Sequence, residues 1–497
     1  MLIGNRQRLG IEMVPVAPSW DLRYGPESAG WAALSIWVGG QNVCEHRREG
    51  ETEVRGAFYV PLGPVADWFV RSLPALRFEE RSRSFRVRPT LHESLHTWGE
   101  RPPPTGLDLE TWLDEREAFW SRHFLCAGAE GARLPNLAFL RQDDVAIISW
   151  EPPEFAGPPA VRMIEARGTA SVGWSEFQVV LERFIATVGE WFVVTGHADV
   201  YGWLRGSAGA AGAVDLETAA SLFCARSPQG IAEIMGVPVE RWREAVGLGS
   251  TRQDPGESPQ CQVIRDLPPR PSPDVGKEIG DVVQVASATD ANARSRWRDG
   301  RLIAEDAAAA AVSSEQEGYE AARAIRAALA CNGQPIADMP GLLDRFGVAH
   351  SSGRTTSLGE RSIVVGIDHG RAAARVLDTP RTETVWGRRF EEARALGHLL
   401  LNPLRGGALG AASTNYAQER RRRRSGAFAA ELLLPSEALE QASSEELDGI
   451  LAGVRFSELL KCYGVGARTA AHHLYNRGWL SSESVREELI ERYASDG

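Results

Sequence analysis

The sequence predicts a multidomain α+β protein. An N-terminal α+β domain spans residues 1–158 and a helical region 159–250. A proline-rich linker and helix follow over 251–313, then a C-terminal α+β domain over 314–497 that ends in helix-turn-helix spacing. Three observations carry this. A chain of 497 residues has room for several domains. Short apolar runs of strand length are interleaved with longer stretches of helical period near both ends. Between them Pro255, Pro259, Pro268, Pro269, Pro271 and Pro273 interrupt both periods, which is the composition of a linker.

In the first domain, Trp31 to Val38 is an apolar run closed by Gly39-Gly40, and Ala57 to Val60 is a second short strand candidate. Leu62 to Leu73 places Val65, Trp68 and Phe69 at helical spacing, and Leu109 to Cys126 does the same with Trp112, Phe119, Trp120 and Phe124. Leu137 to Leu140 and Val145 to Trp150 flank Asp143-Asp144, a hairpin signal. In the middle region Ser175 and Gln178 have the spacing of a capping box before a helix that runs to Phe192. Leu216 to Ala225 and Pro228 to Met235 predict shorter helices. The glycines of 206–212 lack a Gly-Lys-Ser/Thr ending and predict a turn, not a phosphate loop. Glu278 to Ala311 predicts an alanine-rich helix. Ser362 to Asp368 and Ala373 to Leu377 predict strands. Phe456 to Tyr463, Gly464-Val465-Gly466 and Ala467 to Asn476 give helix-turn-helix spacing.

Composition narrows the function classes. Hydrophobic residues make up 43% and charged residues 24%, ordinary values for a globular protein. No apolar run reaches a membrane span and the N-terminus carries no signal peptide, so a cytoplasmic location without membrane contact is expected. Cys44, Cys126, Cys224, Cys261, Cys331 and Cys462 form no CxxC pairs, which predicts reduced thiols and no zinc finger. A net charge of −11 argues against uniform coating of nucleic acid. Apart from Lys277 and Lys461 every basic residue is arginine, and with many Ala and Gly this points to a GC-rich bacterial genome.

Two motifs bear on chemistry. His92-Glu93-Ser94-Leu95-His96 spells His-Glu-x-x-His, in which two histidines on one helical face bind zinc and the glutamate is the general base. Pro89 and Pro102-Pro103-Pro104 limit the helix that could hold it, and a third ligand would have to come from Glu110, Glu115, Glu117 or His123. The second is Arg389-Phe390-Glu391-Glu392-Ala393-Arg394-Ala395-Leu396-Gly397-His398. It stands inside an ordered set of blocks: Gln316 to Ala322, Pro335-Ile336-Ala337-Asp338, Leu342 to Val348, Phe390 to Leu401, Phe428-Ala429-Ala430-Glu431-Leu432-Leu433-Leu434-Pro435, and Tyr463 to Leu480.

That series, from Ser314 to Ser482, resembles the ImmA/IrrE family of bacterial metallopeptidases. The resemblance implies a zincin-like α+β domain with a helical tail. The family's zinc helix carries His-Glu-x-x-His; here Arg394 and Ala395 stand where the first His and the Glu belong, and His398 alone remains. Its third ligand is an acid shortly before the Phe-Ala-Ala block, where this chain has Arg420-Arg421-Arg422-Arg423-Arg424. An arginine offers a metal no lone pair. The expectation is therefore a catalytically inactive scaffold without a cofactor, acting as a regulatory or protein-interaction module.

Active members of the family are linked to cleaving helix-turn-helix repressors in stress responses and mobile-element control, so the resemblance implies such a repressor, or another protein, as partner. Two other functions stay open. One is a zinc endopeptidase using His92, Glu93 and His96. The other is a nucleic-acid-binding regulator using Arg420 to Arg424, Arg468 and Asn476. The arginine run is otherwise expected to be solvated, with Glu391 and Glu392 as ion-pair partners.

Overall fold

In the computed structural model the N-terminal alternation becomes sheet. The structure describes all residues except 16–29, 49, 81–90, 94–102, 104–107, 129–133, 153–160, 165–166, 196–203, 205–213, 249–253, 269–270, 272–273, 288–290, 355–361, 368–370, 380–381, 406, 415–418, 443 and 494–497. Two compact units form, Met1–Ala225 and Arg226–Gly497. Their division lies inside the stretch read as a helical region.

In the first unit β1 (Leu2–Gly4), β2 (Leu9–Pro15), β3 (Trp31–Val38) and β4 (Gln41–Asn42) form an antiparallel sheet, with β6 (Phe58–Pro61) also on β3. Along β3 the residues Ala32, Leu34, Ile36 and Val38 are buried and their neighbours half-buried, the period of a strand covered on one face. β5 (His46–Arg48) pairs with β9 (Val161–Met163). The Asp143-Asp144 turn joins β7 (Asn136–Gln142) to β8 (Val145–Glu151), and β10 (Gly168–Gly173) completes that sheet. Asp143 takes the left-handed conformation at φ 58° that such a turn needs. The helices described at length in this unit are α1 (Leu62–Phe78), α2 (Leu109–His123), α3 (Trp174–Val194) and α4 (Leu216–Cys224). Phe177, Val180, Leu181, Phe184, Ile185 and Val188 of α3 face the core with α1 and both larger sheets.

The capping box at Ser175 does not form. α3 starts two residues earlier, straight from β10, with Gly173 at its N-cap and no side-chain cap. Gln178 instead donates to Glu182 Oε1 at 2.7 Å, one turn on.

The second unit begins with α5 (Pro228–Met235) and the short α6 (Trp242–Ala245). The proline-rich stretch is not a free linker. Ser258 accepts from the Cys261 N–H at 3.0 Å and caps α7 (Pro259–Asp266), whose residues Cys261 to Asp266 are all buried. Over Glu278 to Ala311 the described residues form α8 (Val275–Ser287), which packs on the sheet, and α9 (Ala291–Ala308), which packs on later helices. Next come α10 (Ser314–Ala328) and α11 (Met339–Arg345). The sheet runs β11 (Val348–Arg354), β13 (Arg371–Asp378), β12 (Ser362–Ile367), β14 (Ala408–Ala412), with β11–β13 parallel and the other pairs antiparallel. Helix α12 (Val385–Leu401) crosses it, and α13 (Glu419–Leu433) packs on α12 and α10. The small α14 (Ser436–Glu440) and α15 (Ser444–Leu451) lead to the tail: α16 (Phe456–Tyr463), α17 (Ala467–Asn476) and α18 (Glu483–Arg492). Gly464, at φ 60°, turns the chain between α16 and α17. Among the described residues no helix is long and apolar enough to cross a membrane.

Candidate functional site

Helix α12 places the residues singled out at its C-terminal half. Thr384 caps its start by accepting from the Gly387 N–H at 3.0 Å. Its end is held by α9: Arg301 Nη1 donates to the carbonyls of Leu399 and Asn402, each at 2.8 Å. Between these ends Glu391, Arg394, Ala395 and His398 are all buried, because the sheet, α9 and α13 cover the helix on several sides. Gly397 sets how close α13 comes. A Cβ there would stand 2.8 Å from the Phe428 ring. That approach brings Ser425 against His398 and Arg394.

The side chains form one continuous chain of bonds. Arg424 Nη1 donates to Glu317 Oε2 at 2.9 Å and Nη2 to Asn402 Oδ1 at 2.8 Å. Guanidinium has no acceptor, so this contact fixes which end of the Asn402 amide is oxygen. Asn402 Nδ2 therefore donates to His398 Nδ1 at 3.1 Å. His398 is then the neutral tautomer with its proton on Nε2, and that proton goes to Ser425 Oγ at 3.1 Å. Ser425 Oγ also accepts from Arg394 Nε at 3.3 Å. Arg394 Nη1 lies 3.6 Å from Glu391 Oε1, and Glu391 Oε2 accepts from Ser413 Oγ at 2.7 Å. Arg394 and Arg424 thus each have a carboxylate, which offsets the burial of their charge.

This arrangement does not fit a divalent metal. A ligating imidazole offers a lone pair to the ion and donates its other N–H elsewhere. His398 has already given its lone pair to Asn402. Two guanidinium groups, not carboxylates, complete the surroundings. Among the described residues no group of three or more His, Cys, Asp or Glu side chains is placed to hold a metal ion.

Part of the arginine run is engaged inside the unit, with Arg421 and Arg424 buried and Arg423 exposed. Arg420 Nη2 meets Glu317 Oε1 at 2.7 Å, and Arg423 Nη1 meets Glu315 Oε1 at 3.0 Å. Arg421 is fully buried and donates to the Gly410 carbonyl at 3.4 Å. Among the described residues the run meets Glu315 and Glu317 in place of the expected Glu391 and Glu392. The first turn of α10 faces this side of α13, whereas Glu391 is engaged by Arg394 and Ser413. Arg468 and Asn476 lie exposed on α17. The other side of α17 packs on α13, where His473 Nε2 is 3.3 Å from Glu431 Oε2 with both side chains fully buried. Burial opposes the Glu431 charge, but His473 and Ser436 hold its carboxyl below the usual range.

In the first unit His92 falls in a short helical stretch of which 91–93 are described; His96 lies outside the described residues. His92 Nε2 donates to the Asn136 carbonyl at 3.0 Å and Nδ1 accepts from Ser149 Oγ at 3.2 Å. Both ring nitrogens are occupied by the hairpin, and burial pushes the imidazole pKa down. Glu93 is exposed. His123, offered as a third ligand, is buried with its Nε2 3.2 Å from Glu79 Oε2 and its Nδ1 2.7 Å from the Phe139 carbonyl. Glu110 is exposed on the first turn of α2.

Reading the sequence missed Asn402, Ser425, Glu317 and Ser413. Asn402 follows His398 by four residues, so shared-face spacing could have flagged it. Ser425 and Ser413 carried no signal of their own.

Residues 382–475 match the family model of the IrrE N-terminal-like domain. The match takes in α12, β14, α13 and the first two helices of the tail. No curated protein and no solved structure matches the chain.

Proposed function

We propose that the C-terminal unit is an IrrE-like scaffold that no longer hydrolyses peptides and serves as a cytoplasmic regulatory or protein-interaction module. A helix-turn-helix repressor, or another protein of a stress or mobile-element response, is the partner this reading favours. One observation carries it. The imidazole of His398 sits in a closed chain from Glu317 to Ser413, with its tautomer set by Arg424 through Asn402. In this reading Arg394 and Arg424 occupy the metal's surroundings and keep the pocket's shape without its ion.

The test restores what the family frame calls for. The wild-type chain, purified without chelator, should hold no stoichiometric zinc by mass spectrometry. The variant Arg394→His/Ala395→Glu/Arg424→Asp should take it up, since losing Arg424 also frees the Asn402 amide to turn and the His398 lone pair to face the ion. Failure of that variant to bind zinc would sink the idea of an inherited pocket. Stoichiometric zinc in the wild type, retained in His92→Ala, would overturn the reading of an inactive site.

A further inference from the structure

Among the described strands β14 is the edge of its sheet, with Val365 of β12 opposite Gly410 and Ile363 opposite Ala412; beyond a two-bond bridge between Arg405 and its first residue, Ala408, no described strand pairs its other side. The outward N–H and C=O groups of an edge strand are a ready template for an extended polypeptide. In this chain the main chain of Arg405 meets both groups of Ala408, and side chains meet the outward groups along the strand. Gln262 of α7 donates from Nε2 to the Ala408 carbonyl at 3.2 Å and accepts at Oε1 from the Gly410 N–H at 3.0 Å. Arg421 donates to the Gly410 carbonyl at 3.4 Å, and Asp266 Oδ2 accepts from the Ala412 N–H at 3.4 Å.

The pattern is that of a strand. In a parallel ladder a residue of the incoming strand donates to the residue before its partner and accepts from the residue after it. Gln262 stands in that relation to Leu409. Arg421 and Asp266 divide the same two roles around Ala411. The fit is close as well as polar: a Cβ on Gly410 would stand 2.0 Å from the Pro259 carbonyl oxygen. Gln262, Asp266 and Arg421 are fully buried. Ser413, the residue after β14, is the end of the bonded chain through Glu391 to His398. The covered edge therefore leads directly into the site described above.

We propose that α7 is an intramolecular cap that imitates a parallel strand and closes β14 to extended polypeptide; when it withdraws, β14 becomes a docking edge. This rests on reading the unit as a polypeptide-binding scaffold, and it assigns that scaffold a closed resting state. Cover by a helix alone would need only bulk. Two residues' worth of ladder bonds, supplied by three side chains at strand spacing, is the feature that points to an occupant.

The test is amide exchange over 407–414 in the full chain, with and without reduced, carboxymethylated casein as a source of extended segments. In the wild type this stretch should exchange slowly and ignore casein. Gln262→Glu keeps the shape but sets a carboxylate against the carbonyls of Gly256, at 2.6 Å, and Ala408. It should speed exchange about tenfold and make protection return on adding casein. Gln262→Ala, the milder variant, should do the same to a smaller degree. Casein protecting β14 in the wild type would overturn the cap. So would an edge that neither variant opens, or an opened edge that casein leaves unprotected. None of these outcomes depends on zinc, so they are separable from failure of the metal-rebuilding test.

Discussion

Two histidines, one in each unit, reach the same state from opposite sequences. His92 opens a complete His-Glu-x-x-His string, while His398 closes a broken one. Both are buried, and both have each ring nitrogen engaged. The difference lies in what holds them. His92 is bonded to a main-chain carbonyl and one serine of a hairpin, a setting built by strand pairing. His398 is bonded by Asn402 and Ser425, which are themselves held by charged side chains. The first histidine of a motif complete in letters is thus held between two strands, and a motif with its letters changed keeps a connected polar interior. Pattern alone does not say whether an imidazole's lone pair is available; its neighbours do.

The largest break in this comparison should come from Arg424→Met. It takes one of two arginines from Glu317, which keeps Arg420, and strands the Asn402 carbonyl in a buried setting; loss of one partner of such a network costs about 3 kcal/mol. Urea unfolding of the second unit, followed by amide exchange, should show a shift of that size. A shift below about 1 kcal/mol would mean that the pair is open to solvent screening.

Ser425→Ala and Ser149→Ala sharpen the contrast. Ser425 serves His398, Arg394 and the Arg422 carbonyl, whereas Ser149 donates to His92. Leaving buried polar groups unmatched should cost about 2–3 kcal/mol at Ser425 and about 1 kcal/mol at Ser149. Equal costs would erase the distinction between a network and a single bond.

The smallest effect is one of pH. Burial pushes the folded His92 pKa below its ordinary 6.5, so the unfolded chain binds that proton first. Its contribution is full above 6.5 and is lost as pH falls below that value toward the folded one. Glu431, held below its ordinary 4.5, contributes above 4.5 and loses that contribution as pH drops through its folded value. His472, in the second unit, is shifted down mainly by burial and further by Arg486 and Arg468. The measurement is therefore differential. His92→Phe should flatten the first unit's decline below 6.5 and leave the second unit's unchanged; an unaltered first-unit curve would show that His92 is not its source.

Much of the architecture was readable from the sequence, because it depends on period and on turn chemistry. The alternation of Trp31–Val38, the Asp143-Asp144 hairpin and the Gly464 turn are local effects with local signals. The family frame around Phe390–Leu401 and Phe428–Pro435 was readable too, and residues 382–475 match the model of that domain. The errors arose where distant segments meet. Prolines suggested a linker, yet α7 is buried because its side chains complete the edge of a strand nearly 150 residues away in the chain. Five consecutive arginines suggested a solvated face, yet Arg421 and Arg424 are buried because α10 supplies carboxylates and β14 a carbonyl. The sequence by itself determined which residues stand at the altered motif: Arg394, Ala395 and His398. Only the tertiary structure decided what they became, since the tautomer of one histidine depends on an asparagine whose orientation is set by an arginine on another helix.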